Sequence, residues 1–242
     1  MQVEQTQCQQ GILATMGESL LDAVEINPAG RPRACIIWLH GLGADGHDFE
    51  ALVPQLDVVA TLGVRVVLPH APRRPVTING GMVMPAWYDI LAPDFTRGQD
   101  SAGVHESEQQ LQALIRRETD SGIPAAQILL AGFSQGGAIA LYTGLRYPQP
   151  LAGILALSTY LPLADSLATS ATAANLAVPI MMAHGTQDPV VPLSLAVQSR
   201  EVLQQQGYRV AWHSYPMQHA VCPEELRDIR DWLAQRLAPD NA

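Results

Sequence analysis

The sequence predicts an α/β fold in which a mostly parallel central sheet carries helices on both of its faces. Short β-branched apolar runs recur along the 242-residue chain, and segments with the period of a helix separate them. Runs that are apolar throughout are typical of strands buried on both faces, as in parallel sheets. Hydrophobic residues make up 48% of the chain and charged residues 15%, which supplies one large core and excludes a disordered chain.

The apolar runs are the predicted strands. Those that are apolar on both faces are residues 35–39, 64–68, 128–131, 154–157 and 180–183. Residues 209–215 alternate between apolar and polar, which indicates a strand nearer an edge of the sheet. Residues 20–26 are predicted to add an antiparallel strand or hairpin.

The segments between the runs are the predicted helices. They cover residues 49–62, 104–118, 136–146, 193–206 and 224–237. In the last of them, Leu226, Ile229, Leu233 and Leu237 are three or four residues apart and would form one stripe facing the sheet. No shift in composition and no linker divides the series, so residues 1–242 are expected to form a single domain without a separate cap domain.

Charge and cysteine content exclude several classes of partner. The formal net charge of −9 opposes binding to the phosphate backbone, so no nucleic-acid partner is expected. The cysteines Cys8, Cys35 and Cys222 form no CxxC pair, which favours a reducing compartment and offers no zinc site. The chain shows no signal-peptide pattern and no apolar stretch of about 18 residues, so a cytoplasmic protein without integral membrane association is expected.

Two segments do not fit the alternation of strands and helices. Residues 69–99 are rich in Pro and Gly, and residues 161–175 are rich in Ala, Ser and Thr. Long segments of this kind inside a domain are often lids or binding loops, and the alternative is mobile surface without a function.

The sequence G-F-S-Q-G at residues 132–136 predicts a nucleophilic serine. It directly follows the apolar run at residues 128–131 and opens a predicted helix. A sharp turn from strand to helix would hold Ser134 in a strained conformation with its hydroxyl above the sheet, and the flanking glycines leave the room that this turn needs. The alternative is a glycine-rich turn without chemistry.

A serine nucleophile needs a base and an acid, and in this type of site they follow the serine in the order acid, then histidine. His219 lies between the last predicted strand and the last predicted helix, and is the candidate base. Asp188 directly follows a buried strand, and is the candidate acid. The rival acid is Asp165, which follows the preceding strand.

Acyl transfer also needs two hydrogen-bond donors aimed at the oxyanion of the tetrahedral intermediate. The backbone N–H of Gln135, next to the nucleophile, is one candidate. The other is the backbone N–H of Leu42 in the H-G-L-G loop that follows the run at residues 35–39.

Several longer motifs resemble those of the phospholipase/carboxylesterase family of the α/β-hydrolase fold, whose eukaryotic members are acyl-protein thioesterases. They are HGLGADG at residues 40–46, NGGMVMPAWYD at 79–89, GFSQGGA at 132–138, HGTQDPVV at 184–191 and YPMQHAV at 215–221. Within this family, the chain most resembles the small bacterial carboxylesterases. The resemblance implies Ser134, Asp188 and His219 as the catalytic triad, and Leu42 and Gln135 as oxyanion donors. The chain departs from the family at Gln218, where glycine is usual.

Apolar side chains in the loops around the serine are predicted to line the substrate site. They are Met82, Trp87, Tyr160, Leu161, Leu163 and Val191. Such a wall, without a cluster of Arg or Lys, favours esters with uncharged acyl groups. The function that we expect is a serine carboxylesterase acting on short-to-medium acyl esters without metal or cofactor. The alternatives are an acyl-protein thioesterase, a lysophospholipase or a catalytically silent binding protein, and an exposed apolar lid leaves a homodimer open.

Overall fold

Nine strands lie in residues 20–93 and 98–238, which are the residues that the computed structural model describes. They are β1 (Ala23–Ile26), β2 (Ala34–Leu39), β3 (Val64–Pro69), β4 (Arg73–Val76), β5 (Met82–Pro85), β6 (Ile128–Phe133), β7 (Gly153–Leu157), β8 (Ile180–Gly185) and β9 (Val210–Tyr215). All the predicted strands are present, with ends that differ by one or two residues except at β1, which begins later. Cys8 and part of the segment 69–99 lie outside the described residues.

Seven of these strands form the central sheet, in the order β1-β3-β2-β6-β7-β8-β9. β1 pairs antiparallel with β3, and all the other neighbours in the sheet are parallel. The prediction of a mostly parallel sheet is therefore confirmed. The remaining pair, β4 and β5, forms a separate antiparallel hairpin inside the segment 69–99.

Both faces of the sheet are buried, which explains why the central strands are apolar throughout. In β2, Cys35 and Ile37 face one apolar cluster while Ile36 and Trp38 face the other. All of them are at most 1% exposed. Successive side chains of a strand point to opposite faces, so a strand covered on both sides needs apolar residues at every position.

Seven α-helices cover these faces in the described part of the chain. They are α1 (Val53–Leu56), α2 (Val58–Leu62), α3 (Ser101–Asp120), α4 (Gln135–Arg146), α5 (Leu167–Ser170), α6 (Leu193–Gln205) and α7 (Pro223–Leu237). Buried residues of α3, α4 and α6 pack in one apolar cluster, and those of α1, α2 and α7 pack in the other. In α7 the predicted stripe is present, with Ile229, Leu233 and Leu237 fully buried.

The predicted helix at residues 49–62 is wrong in its continuity. The structure has α1 and α2 there, and Asp57 between them adopts a left-handed conformation with φ of 55°. Asp is one of the few residues other than Gly that visits this region readily. Val53, Leu56 and Val58 are nevertheless all buried in the same cluster. Two short helices thus satisfy the apolar spacing that predicted one.

The segment 161–175 contains short helical turns held to the end of α4. The Arg146 guanidinium donates hydrogen bonds to Ser170 Oγ at 2.8 Å and to Ser166 Oγ at 2.9 Å. Asn175 accepts a hydrogen bond from the Leu151 N–H at 2.9 Å. Polar contacts therefore hold this segment in place, although it consists largely of Ala, Ser and Thr.

Within the part of the chain that the structure describes, no helix combines the length and apolarity needed to cross a bilayer. The carboxyl ends of β2, β6, β8 and β9 lie at one edge of the sheet because these strands are parallel. Loops that follow parallel strands meet at this edge, which is where ligands bind in open α/β sheets.

Candidate active site

A sharp turn joins β6 to α4 and holds Ser134 in a strained conformation. Its φ and ψ are 53° and −122°, and α4 begins at the next residue. The φ lies in the left-handed range that disfavours residues with a side chain, and such strain is concentrated at functional sites. Ser134 is 9% exposed, so the turn buries most of the residue while its hydroxyl projects from the end of the strand.

Two glycines permit this turn because backbone atoms approach them closely. A Cβ atom on Gly132 would collide with the backbone of Gly136, and one on Gly136 would collide with the carbonyl oxygens of Leu39 and His40. Helix α4 therefore packs directly on the ends of β2 and β6. The first N–H groups of this helix point at the space above the sheet edge.

Neighbouring strands hold the turn in place. The Ser134 N–H donates to the Leu157 carbonyl at 2.8 Å, and the Thr159 hydroxyl donates to the Ser134 carbonyl at 2.6 Å. Both partners lie at or just after the end of β7. The strained serine is thus fixed by hydrogen bonds on both sides of its own residue.

The structure brings His219 and Asp188 together beside this turn. His219 Nδ1 lies 2.7 Å from Asp188 Oδ2. The His219 ring also packs on the ring of Phe133, with centroids 4.7 Å apart, and Phe133 directly precedes Ser134. A buried carboxylate bonded to Nδ1 leaves Nε2 as the nitrogen free to accept a proton from a nucleophile.

The loop after β8 holds the Asp188 carboxylate in a fixed orientation. Asp188 Oδ1 accepts the backbone N–H groups of Val190 at 2.8 Å and Val191 at 2.9 Å. Its side chain is fully buried. The other oxygen, which faces His219, cannot rotate away without breaking both of these bonds.

His184 contacts the same carboxylate, which the sequence did not predict. Its Nε2 lies 2.9 Å from the Val191 carbonyl and 3.5 Å from Asp188 Oδ2. Because the carbonyl can only accept, Nε2 carries the proton. Burial lowers the pKa of His184, so the ring beside the carboxylate remains neutral, and its one N–H donates to the Val191 carbonyl. The sequence offered no signal for this contact, because residues four apart lie on one face only in a helix, and here a strand is followed by a turn.

The loop after β2 lies against the serine from the other side. A Cβ atom on Gly41 would be 3.4 Å from the Ser134 Cβ. The loop turns at Gly43, whose φ is +79° and whose N–H donates to the Pro85 carbonyl at 2.9 Å. The Leu42 N–H donates to no acceptor among the described residues. Gln135 is the first residue of α4, so its N–H also lacks an acceptor within the helix.

A cavity of about 570 Å³ lies beside the turn. Tyr160, Leu161 and Leu163, which are predicted to line the substrate site, line this cavity together with Leu195 and Val202 of α6. Ser134 is not among its lining residues. Its lining residue Tyr160 directly follows Thr159, whose hydroxyl bonds to the Ser134 carbonyl, so the loop after β7 links the cavity to the serine turn.

The other predicted lining residues lie elsewhere. Trp87 is 1% exposed and belongs to the core, because its ring packs on His40 and its indole N–H is bonded to a backbone carbonyl. Val191 is 3% exposed, and its N–H and carbonyl support Asp188 and His184. Met82 is 64% exposed on the β4–β5 hairpin and forms no wall of the cavity. Their prediction as pocket walls is therefore corrected.

A buried carboxylate lies at the start of α7, just after the loop that carries His219. Glu225 is fully buried, and neither of its carboxylate oxygens has a hydrogen-bond partner among the described residues. Burial raises the pKa of Glu225 to about 8, and the nearby backbone amide of Cys222 only partly offsets this effect. The carboxyl group is therefore mostly protonated at neutral pH.

We expect Asp188→Asn to lower kcat by about 10⁴, because an amide at this position stabilises the wrong tautomer of the His219 ring. Asp165, the rival acid, lies in the wall of the cavity instead. Asp165→Asn is therefore expected to have a much smaller effect on the kcat of an acetyl ester. Steady-state kinetics of the two variants compare them directly, and a larger loss in the Asp165 variant would contradict the geometry.

We also expect Glu225→Gln to stabilise the protein progressively as the pH rises from 5 to 8. In wild type the folded state keeps the Glu225 proton up to about pH 8, whereas the unfolded chain loses it near pH 4.5. The free energy of unfolding therefore falls with pH in this window, and a neutral amide removes that loss. Urea unfolding at several pH values measures the difference. Glu224→Gln, on the exposed side of the same turn, is the matched control, and an equal trend in it would refute this account.

Comparisons with known proteins identify the family of this chain. Residues 22–237 match the model of the phospholipase/carboxylesterase family. Acyl-protein thioesterase 1 of Neurospora crassa is 45% identical over 216 residues, which are 86% of this chain and 88% of that protein. Among solved structures, Arabidopsis thaliana SOBER1 has a TM-score of 0.80 at 31% identity, covering 85% of this chain and 99% of its own.

Zea mays acyl-protein thioesterase 2 has a TM-score of 0.77 at 28% identity, covering 90% of this chain and 99% of its own. Family model, sequence relatives and solved structures thus agree with one another and with the fold described above. We conclude that the chain belongs to the phospholipase/carboxylesterase family of α/β hydrolases and is a serine hydrolase with esterase or thioesterase activity.

Proposed function

We propose that this protein hydrolyses acyl thioesters, with Ser134 as the nucleophile, His219 as the base and Asp188 as the acid. The observation that carries the proposal is the strained Ser134, whose neighbour Phe133 packs on the His219 ring, together with the bond between partly buried His219 and the buried Asp188 carboxylate. The sequence alone favoured a carboxylesterase. The names of the relatives favour the thioesterase alternative, because the similar fungal proteins are acyl-protein thioesterases. A hydrolase family also argues against a silent binding protein.

In the first half of the reaction, the Ser134 hydroxyl attacks the thioester carbonyl while His219 takes its proton. The resulting oxyanion accepts hydrogen bonds from the backbone N–H groups of Leu42 and Gln135. The Asp188 carboxylate stabilises the protonated His219 ring. When the intermediate collapses, the C–S bond breaks, the leaving sulfur takes the proton from His219 and departs as a thiol, and the acyl group remains on Ser134 as an ester.

In the second half, a water molecule attacks the acyl-serine ester and gives its proton to His219. The same two N–H groups stabilise the second oxyanion. Collapse returns the proton to Ser134 and releases the carboxylic acid. The chain's own groups supply every proton transfer, so the reaction requires no metal or cofactor.

The acyl chain is accommodated in the cavity next to the serine. Tyr160 and Leu161 form its near end, and Leu195 and Val202 of α6 supply apolar surface. A buried methylene contributes about 0.8 kcal/mol, so this surface favours chains longer than acetyl. Among the described residues that line the cavity, Asp165 is the one with a charge, and it would repel a second carboxylate on the acyl group.

Hydrolysis of carboxyl esters is the second candidate function. The oxyanion donors, the base and the cavity contact the acyl half of the substrate, which a thioester and an oxygen ester share. Acyl chains of equal length should therefore be recognised alike in both. The leaving group decides the relative rates for the thioester and the oxygen ester. A thiolate is a weaker base than an alkoxide, so its departure depends less on a proton from His219.

Ser134→Ala is expected to lower kcat for an octanoyl thioester by as much as about 10⁶, as removal of the nucleophile does in other serine hydrolases. The matched control is Ser158→Ala. Ser158 is also buried with a positive φ, and it lies after the neighbouring strand β7. Thioester and oxygen ester of the same chain are assayed on both variants and on wild type. Wild-type turnover in a folded Ser134→Ala protein would exclude the proposed nucleophile, and a preference for the oxygen ester would favour the second candidate.

Filling the cavity tests its role in binding the acyl chain. Leu195→Trp is expected to reduce kcat/KM for decanoyl substrates far more than for acetyl substrates, because an acetyl group does not reach α6. Leu176→Trp is the control, since Leu176 is 52% exposed and is not a lining residue. A uniform loss across chain lengths in the folded Leu195 variant would show that the acyl chain lies elsewhere.

A further inference from the structure

Trp87 connects the two backbone segments that supply the proposed oxyanion donors. Its backbone N–H donates to the side-chain oxygen of Gln135 at 2.8 Å, and its indole N–H donates to the His40 carbonyl at 2.9 Å. The Trp87 carbonyl accepts a hydrogen bond from the buried Ser107 hydroxyl. Trp87 is thus held by α3 and is bonded to both segments. It contacts His40, which precedes the Gly41–Leu42 peptide, and Gln135, which follows Ser134.

The His40 ring determines the orientation of the Gly41 carbonyl. Its Nε2 accepts the Ala71 N–H at 3.1 Å, so this nitrogen carries no proton. Nδ1 therefore carries the proton and donates to the Gly41 carbonyl at 2.7 Å. Burial lowers the pKa of His40, which keeps the ring in the neutral form that these two bonds require.

Fixing the Gly41 carbonyl also fixes the Leu42 N–H. The two groups belong to one planar trans peptide unit and point in opposite directions. A hydrogen bond that holds the carbonyl towards His40 therefore holds the N–H on the other side of the peptide. Gly41 lies against Ser134, so the orientation of this peptide decides whether the N–H faces the oxyanion.

The second donor is held through the side chain of its own residue. Gln135 is 3% exposed, and its side-chain nitrogen donates to the Tyr88 carbonyl at 2.6 Å while its oxygen accepts from Trp87. These two bonds anchor the first residue of α4 to residues 87–88. Both donor segments are thus anchored to the same short piece of chain.

We propose that His40 and Trp87 are positioning residues that hold the Leu42 and Gln135 N–H groups at the separation and angle that the oxyanion needs. The inference rests on the proposed function, which assigns these groups as donors. It gives Trp87 a different role from the acyl wall that the sequence suggested. Donors that are set before the reaction cost no reorganisation in the transition state, whereas a shift of about 1 Å can cost 10²-fold in rate.

The test compares Trp87→Phe with Trp38→Phe. Both tryptophans are 1% exposed, but the Trp38 indole nitrogen has no hydrogen-bond partner among the described residues. The two variants therefore lose similar packing, and only the Trp87 variant loses a hydrogen bond, the one from its indole N–H to the His40 carbonyl. We expect Trp87→Phe to lower kcat about 10- to 100-fold with little change in KM, and Trp38→Phe to retain the wild-type kcat.

A second pair of variants separates the two bonds of the His40 ring. In His40→Asn the amide nitrogen can take the place of Nδ1 and still donate to the Gly41 carbonyl. In His40→Gln the longer side chain reaches the place of Nε2 and keeps only the Ala71 contact. We expect the Asn variant to retain most of the kcat and the Gln variant to lose about 10²-fold, as for loss of an oxyanion donor.

An acyl trifluoromethyl ketone provides the readout that a general packing defect would not change. It forms a hemiketal with the nucleophile, and its oxygen occupies the oxyanion position. Its inhibition constant should rise across the four variants by the same factor by which kcat/KM falls. Thermal unfolding confirms that each variant is folded.

Equal losses of kcat in the two tryptophan variants, or losses of kcat without a matching rise of the inhibition constant, would overturn the proposal. So would a His40→Gln variant more active than His40→Asn. Failure of the proposed function is distinguishable, because Ser134→Ala would then retain activity and the ketone would not inhibit the wild-type enzyme at all.

Discussion

The close approach of α4 to the ends of β2 and β6 is the constraint on which the rest of the structure depends. Gly132 and Gly136 permit it because any side chain there would collide with backbone atoms. The approach forces Ser134 into its left-handed conformation and brings the start of α4 to the edge of the sheet. Without this close packing, the turn between β6 and α4 could not form, and Ser134 would not lie at the end of the strand. Backbone packing therefore places both the proposed nucleophile and one of its proposed donors at this edge of the sheet.

Buried hydrogen bonds then fix the groups around this turn. Two backbone N–H groups hold the Asp188 carboxylate. The His40 ring and the Trp87 indole hold the loop after β2, which carries the proposed donor Leu42. Breaking one such bond leaves a buried polar group unpaired, which costs about 1–3 kcal/mol. Hydrogen bonds of this kind therefore hold the loops at this edge in one arrangement. Such bonds would keep the proposed donors in position before the substrate binds.

Part of this arrangement could be predicted from the sequence because it depends on local pattern. Strand burial requires apolar residues at every position, so β2 and β6 were visible as continuous apolar runs. A strand, a glycine-flanked serine and a helix in immediate succession indicated the turn at Ser134. The break at Asp57 was not visible, because the apolar spacing of residues 49–62 is the same for one helix as for two short ones.

The sequence by itself determined the order of the central-sheet strands along the chain, the turn at the serine, and the histidine and aspartates available to it. Only the tertiary structure decided which of these groups meet. The pairing of His219 with Asp188 depends on how β8 and β9 lie side by side, and the role of Trp87 depends on contacts 47 and 48 residues away along the chain. The physical reason is that local patterns report burial and backbone conformation. Hydrogen bonds between distant segments arise only when the whole sheet has assembled.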